Sequence, residues 1–358
     1  MADPLHAEDS TIEPRSLYDA VLLVSFGGPD GPDDVIPFLE NVLRGRNVPR
    51  ERMLEVAEHY YHFGGKSPIN EQNIALLAAI RDELDRRGPH LPVYWGNRNW
   101  HPLLTDTLRE MADAGVKRAI AFVTSAFSSY SGCRQYRENI AAACGSLGER
   151  APQVDKIRVF FNHPGFVGPM AANVRRGLER FPPTDRAGVP VLFTAHSIPT
   201  SMADGCRYVP QLQESCRLVA AEAGVVDWKL VYQSRSGPPT QPWLEPDVCD
   251  AIRDLHARGG RQVVIAPIGF ISDHMEVLYD LDTEAADLCR ELGIEMARAA
   301  TVGTAPAFVS MVCDLITERA WALPERVAIG NLPANHDVCP LDCCPAPQRP
   351  APPAGRPA

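Results

Sequence analysis

The chain has 358 residues, 45% of them hydrophobic and 22% charged, enough to fill two cores of ordinary size. Its net charge of −10 argues against nucleic acid or an anionic membrane surface as a partner. No apolar run approaches the roughly 18 residues of a spanning helix, so no transmembrane segment is expected.

In chain order, the acidic opening MADPLHAEDSTIEPRS lacks the apolar centre of a secretory signal. Residues 1–17 are read as a flexible arm of a cytoplasmic protein whose ten cysteines are mostly reduced. Strand-like runs follow at AVLLVSF (20–26), VYWGN (93–97), RAIAFVTSAF (118–127) and IRVFFN (157–162). Four more come at VPVLFTAH (189–196), KLVYQS (229–234), RQVVIAPIGF (261–270) and EMARAAT (295–301). Amphipathic stretches such as SPINEQNIALLAAIRDELDRRG lie between them. Nearly continuous apolar strands alternating with helices predict parallel sheets covered on both faces, an α/β fold. The order of elements repeats, which predicts two similar domains, residues 18–180 and 181–330, divided near the Pro-rich RFPPTDRAGVP. From 331 to 358 the chain is a Cys- and Pro-rich tail without helical period.

Ligands of such sheets gather beyond the carboxyl ends of the strands. His196 ends one strand-like run and Glu276 follows another, so both reach the same rim. Imidazole with carboxylate suits Fe²⁺, and suits equally a general base with its partner. Glu276, Asp280 and Glu284 are spaced four apart, which on an α-helix stacks them on one face about 6 Å apart along the axis. A solvated helix face and a row of hard oxygens for a divalent metal both fit that spacing. His274 is expected to turn away from this site, towards backbone. The glycine loops SFGGPDG and HFGGKSP lack a nucleotide-binding pattern and are read as tight turns that approach a flat group closely. Arg44 and Arg46, in LRGRNVP, are candidates for bidentate carboxylate pairing or plain surface charge.

The tail holds Cys339, Cys343 and Cys344 as C-x3-C-C. Three thiolates are too few for a closed zinc site or a [2Fe–2S] cluster, so a fourth ligand must come from the body. Cys133, in the rim loop SSYSGCRQY, is the first candidate and Cys206 the second. Cysteines 144, 216, 249, 289 and 313 lie in helical stretches and are expected to pack as small hydrophobes.

From Asp19 to Ala322 the chain resembles the ferrochelatases, through LLVSFGGPDG, RGRNVP, HYYHFGGKSPIN, GNRNWHP, FTAHSIP, VYQSRSGPPTQPWLEP and GFISDHMEVLYDLD. The resemblance is to the Gram-positive, actinobacterial type that takes coproporphyrin III and carries a C-terminal cysteine cluster. It implies two Rossmann-like domains, the chelatase fold, with the porphyrin in the cleft between them. It implies a lyase that inserts ferrous iron into coproporphyrin III to give coproheme, with protoporphyrin IX as the alternative substrate. A non-catalytic tetrapyrrole or metal carrier is the reading from another class. His196 and Glu276 become catalytic and metal-binding, with Asp280 and Glu284 further along the metal path. Ser67, Tyr136, Phe26, Arg44 and Arg46 become porphyrin contacts. Phe26 stands where some members carry a Tyr that can ligate product iron. Cys133, Cys339, Cys343 and Cys344 become ligands of a [2Fe–2S] cluster, in a spacing unlike the vertebrate C-x2-C-x4-C. The implied partners are the porphyrin, Fe²⁺ and enzymes that handle coproheme downstream. The N-terminal half shows no evident apolar, membrane-facing lip, which favours the more polar coproporphyrin.

Overall fold

The computed structural model describes residues 16–45, 48–237 and 240–346. Strands β1 (Ala20–Ser25), β2 (Val93–Asn97), β3 (Arg118–Val123) and β4 (Gln153–Lys156) form a parallel sheet in the order β2-β1-β3-β4. A second parallel sheet repeats that order as β6-β5-β7-β8, from β5 (Val191–His196), β6 (Trp228–Gln233), β7 (Gln262–Ala266) and β8 (Glu295–Arg298). Every residue of β1 is buried, as a β-rich run covered on both faces requires. The fold is therefore α/β, with two Rossmann-like sheets flanked by helices. Among the described residues no helix is long and apolar enough to cross a membrane.

Seven of the eight expected strands stand where the apolar runs lie. The exception is 157–162. There β4 forms one segment earlier, and after the Ile157 N–H donates to the Ala121 carbonyl (2.9 Å) the chain leaves the sheet. Val159, Phe160 and Phe161 are buried all the same, in a core that runs continuously from β1 and β3 into β5 and β7. An apolar run reports burial, and here burial occurs without pairing.

Between β1 and β2 lie three helices, Pro32–Val42, Arg50–His62 and Ile69–Arg87. The first two enclose a small core of their own around Val35, Phe38, Leu39, Met53 and Ala57, with Phe26 and Tyr60 packed against it. Helix Pro164–Leu178 packs on β7, β8 and helix Tyr208–Ala223. Helix Pro306–Ala320 crosses back to β3 and to Ile69–Arg87, touching Pro164–Leu178 on the way. At that crossing a Cβ on Gly165 would sit 2.5 Å from Met311 Cβ, so the approach requires glycine.

One buried ion pair ties these parts together. The Arg158 side chain is fully buried, and its Nε and Nη2 donate to Glu318 Oε1 (2.9 Å) and Oε2 (3.1 Å). Nη2 also donates to the Val327 carbonyl at 3.0 Å, where the chain departs from its last helix. Beyond it the described residues of the tail, to 346, lie on the body without helix or strand: Ile329 N–H donates to the Asn162 carbonyl (2.9 Å), and Asn162 Nδ2 donates to the Leu332 carbonyl (2.6 Å). Removing one partner of such a pair strands the other charge. Glu318→Ala is expected to lower unfolding stability by about 3–5 kcal/mol, read as a lower urea midpoint; an unchanged midpoint would show that Arg158 is neutralised otherwise.

Candidate active site

Each sheet grows outward in both directions from a central pair, β1/β3 and β5/β7, so the loops at their carboxyl ends diverge and leave a crevice. His196 is the last residue of β5. Glu276 follows β7 at the start of a helical segment whose N-cap is His274, its Nδ1 accepting the Val277 N–H at 3.3 Å. The two meet. His196 Nε2 lies 3.6 Å from Glu276 Oε2, with the side chains 32% and 50% exposed. His274 Nε2 stands 4.0 Å from the same oxygen, so this histidine contacts backbone as expected but does not turn away from the site.

The opposite ring nitrogen of His196 bonds the Ser197 carbonyl. A carbonyl only accepts, so Nδ1 carries the proton and the neutral ring presents its lone pair at Nε2. Burial works against charge on His196, but the Glu276 carboxylate outweighs it and raises the histidine above its ordinary value. Burial likewise opposes ionisation of Glu276, yet His196 and His274 together bring it down to about 2. His274 is lowered by burial, against the pull of Glu276 and with the push of His196. The trio thus combines a carboxylate that favours its anion, one imidazole inclined to protonate and one inclined to stay neutral.

The carboxylate row takes a wider helical form than expected. Leu278–Ala285 is a π-helix, with i→i+5 bonding and more residues per turn than an α-helix, so residues four apart still share one face. Among the described residues, only His336, Cys339 and Cys343 bring three metal-ligating atoms within 4.8 Å of one another. Glu276, Asp280 and Glu284 are therefore successive positions rather than one chelating cage. Asp280 also has protein partners: Ser234 Oγ donates to its Oδ2, and Gln233 Nε2 donates to the same oxygen at 3.2 Å and to the Glu276 carbonyl at 3.2 Å. Burial pushes Asp280 up to about 7; the Ser234 bond resists, and the charges of Glu276 and Glu284 add to the rise. Glu284 is raised by burial and by Asp247. Burial and the neighbouring carboxylates thus favour a proton on Asp280, and a cation entering the row would favour its release.

The first half supplies the facing wall. His59 stacks on Tyr279 of the π-helix at 3.6 Å between centroids and 6° between planes. Tyr60 is raised by burial and by the charge of Glu276. The Phe26 ring lies 5.5 Å from the Arg98 guanidinium, which also sits 4.7 Å over Tyr136. Phe26 and Tyr136 follow β1 and β3, so they occupy in the first sheet the place that His196 and Glu276 occupy in the second. Tyr136 is 5% and Ser67 3% exposed. Ser67 lies behind the first glycine loop, where a Cβ on Gly28 would meet its Cβ at 2.7 Å. The two glycine loops approach each other closely, rather than only a ligand. Arg44 is exposed on the turn after Pro32–Val42, and Arg46 lies outside the described residues.

The cysteines converge at the tail. Cys133 interacts with both Cys339 and Cys344, and those contacts, against burial and helped by Lys156, favour its thiolate. Cys343 and Cys344 place their sulfurs 3.7 Å apart, and His336 Nε2 stands 3.8 Å from Cys343 Sγ. Cys206 is close enough to feel the charges of Cys343 and Cys133, while its Sγ bonds the Met202 carbonyl at 3.2 Å. Cys216, Cys289 and Cys313 are buried, with Cys144 and Cys249 partly so. His336 escaped the sequence reading, although H-x2-C-x3-C is a ligand-like spacing. So did Gln233 and Ser234, whose signal was their position at a strand end, Gln233 closing β6 and Ser234 directly after it.

A model of the ferrochelatase family matches residues 18–320. The chain belongs to the ferrochelatase family. It is 63% identical over 342 residues to a ferrochelatase of Rhodopirellula baltica, covering 95% of this chain and 97% of the relative. It is 54% identical over 351 residues to the coproporphyrin III ferrochelatase of Streptomyces griseus, covering 92% and 94%. Among solved structures, SirB of Bacillus subtilis with Fe³⁺ aligns with a TM-score of 0.53 at 10% identity, over 84% of this chain and 95% of that one, a likeness of fold alone. Within this ferrochelatase scaffold the Glu276 charge is what raises His196. An NMR titration of the metal-free protein is expected to place His196 above its usual value of about 6.5, and Glu276→Gln is expected to move it down. Identical titrations would assign the shift elsewhere.

Proposed function

We propose that this protein inserts ferrous iron into coproporphyrin III, the lyase reaction in which one Fe²⁺ replaces two pyrrole N–H protons. The observation that carries the reading is the His196–Glu276 pair, set 3.6 Å apart at the switch point of the second sheet. With Nδ1 bonded to the Ser197 carbonyl, His196 takes a pyrrole proton on Nε2, directly beside the ionised Glu276. Glu276 stabilises the imidazolium so formed, and Asp280, poised near neutrality, accepts or releases protons as charge moves along the row. Fe²⁺ is substrate: Asp280 and Glu284 serve its delivery, and Glu276 its placement opposite the base. Phe26 has no ligating atom, so it offers the macrocycle packing only. Tyr136 and Ser67 shape the wall behind the porphyrin, and Arg44, with Arg46 beyond the described residues, is assigned to its propionates. The reaction is placed in the cytoplasm, where unpaired thiols stay reduced.

Coproporphyrin is supported by the Streptomyces relatives of that name, at 54% and 55% identity. Protoporphyrin IX stands as the second reading, favoured by helix Arg50–His62, which exposes Leu54 (42%) and Tyr61 (38%), seven residues apart on one face. Anaerobic assays with Fe²⁺ and each porphyrin separately are expected to give coproheme as the faster product. His196→Ala is expected to abolish insertion and keep porphyrin binding. Wild-type protein that binds without turnover would instead be a carrier, and faster protohaem formation would reverse the substrate.

We also infer that Cys133, Cys339, Cys343 and Cys344 hold a [2Fe–2S] cluster. Four converging sulfurs match the donor number and softness that such a cluster needs. Bound there, it would supply a one-electron centre and staple the tail to the body. Purified protein is expected to be brown, with visible charge-transfer absorption lost in Cys339→Ser. A colourless preparation with stoichiometric zinc would instead mark a zinc site drawing on His336, Cys339 and Cys343.

A further inference from the structure

A pocket of about 590 Å³ lies between the tail and the body, within the roughly 300–1,000 Å³ typical of small-ligand sites. Arg207, Arg319, Arg326, Asn335, His336 and Asp337, with Gln211, supply its polar lining, and neither His196 nor Glu276 borders it. Its charge is unbalanced: three guanidinium groups face one carboxylate, in a chain whose net charge is −10.

The three arginines differ in how far the protein satisfies them. Arg326 is neutralised, with Nε 3.0 Å from Asp337 Oδ2 and a second contact to Glu318 at 3.6 Å. Arg319 is not. Its ion pair with Asp155 is long, at 3.7 Å, and Asp155 is already engaged by Arg118 at 2.7 Å and by the Tyr18 hydroxyl at 2.8 Å. The Arg319 Nε is buried and has no hydrogen-bond partner among the described residues. Arg207 is exposed and makes no ion pair among the described residues. A buried guanidinium N–H without an acceptor is unfavourable. With Nε closed to solvent and Nη2 making only the long contact to Asp155 among the described residues, the exposed edge of the Arg319 guanidinium at the pocket keeps donors to offer an acceptor from outside the chain.

We propose that this pocket binds a small multivalent oxyanion, a polycarboxylate or a phosphate compound. The planar forks of Arg207 and Arg319 match either oxyanion in bidentate fashion, and Asn335 and His336 offer further donors. One wall is the tail segment 333–338, directly before Cys339. Occupancy therefore holds the tail on the body next to the cysteine centre.

The test is isothermal titration of the full-length protein at constant ionic strength, with citrate in one series and inorganic pyrophosphate in the other. At least one is expected to bind saturably, once per chain. Arg207→Glu is expected to weaken that binding at least about tenfold, the effect of losing one charged hydrogen-bonding partner. Arg258→Glu, the same charge reversal at the amino end of β7, is expected to retain it. Binding of citrate alone identifies a carboxylate site, and of pyrophosphate alone a phosphate site. Failure of both anions to bind saturably, or equal weakening by the two variants, overturns the proposal.

Discussion

Everything at the rim depends on how the two sheets are held against each other, and the Arg158–Glu318 pair sits where that is decided. Arg158 lies in the segment that leaves the first sheet after β4, and Glu318 lies near the end of the helix that returns from the second half. The same guanidinium holds the Val327 carbonyl, the point from which the tail sets out. A charge so buried tolerates little displacement, because any loss of geometry leaves it unpaired in a low-dielectric core. The pair therefore constrains three things together: the relation of the halves, the docking of the last helix and the origin of the tail.

With the halves so held, chemistry follows from topology. Two sheets of the same strand order each present a switch point, and the side chains delivered there differ in kind. The first sheet offers Phe26 and Tyr136, both near Arg98, a wall suited to a flat anionic ring. The second offers His196 and Glu276, a base and its counter-charge. The Ser197 carbonyl selects the tautomer, so that Nε2 is the atom free to act. The π-helix then turns Asp280 towards Ser234 and Gln233 at the end of β6, whose hydrogen bonds hold a carboxyl in balance between its two states.

The tail is the part of the chain that composition describes least well. Rich in proline and without periodicity, its described residues form neither helix nor strand, yet Asn162, Gln211, Glu214 and Arg137 all hydrogen-bond to them. Its order comes from the body, and so do the completion of its cysteine group by Cys133 and the closure of its arginine-lined pocket.

The sequence by itself determined the α/β class, seven of eight strands and the rim positions of His196 and Glu276, because apolar period and strand ends are local properties. It also marked the cysteines that gather, since their spacing and their place on a rim loop are both legible in one dimension. Tertiary structure alone decided the rest. The apolar run 157–162 became interior coil because the chain leaves β3 after Ile157 and turns into the core. His274 stayed at the site because its capping bond points its other nitrogen at Glu276. The row 276, 280 and 284 runs into a π-helix rather than along a plain α-helix, and burial with the neighbouring carboxylates raises Asp280. These outcomes depend on burial and on which distant groups come into contact, and neither is written in the order of residues.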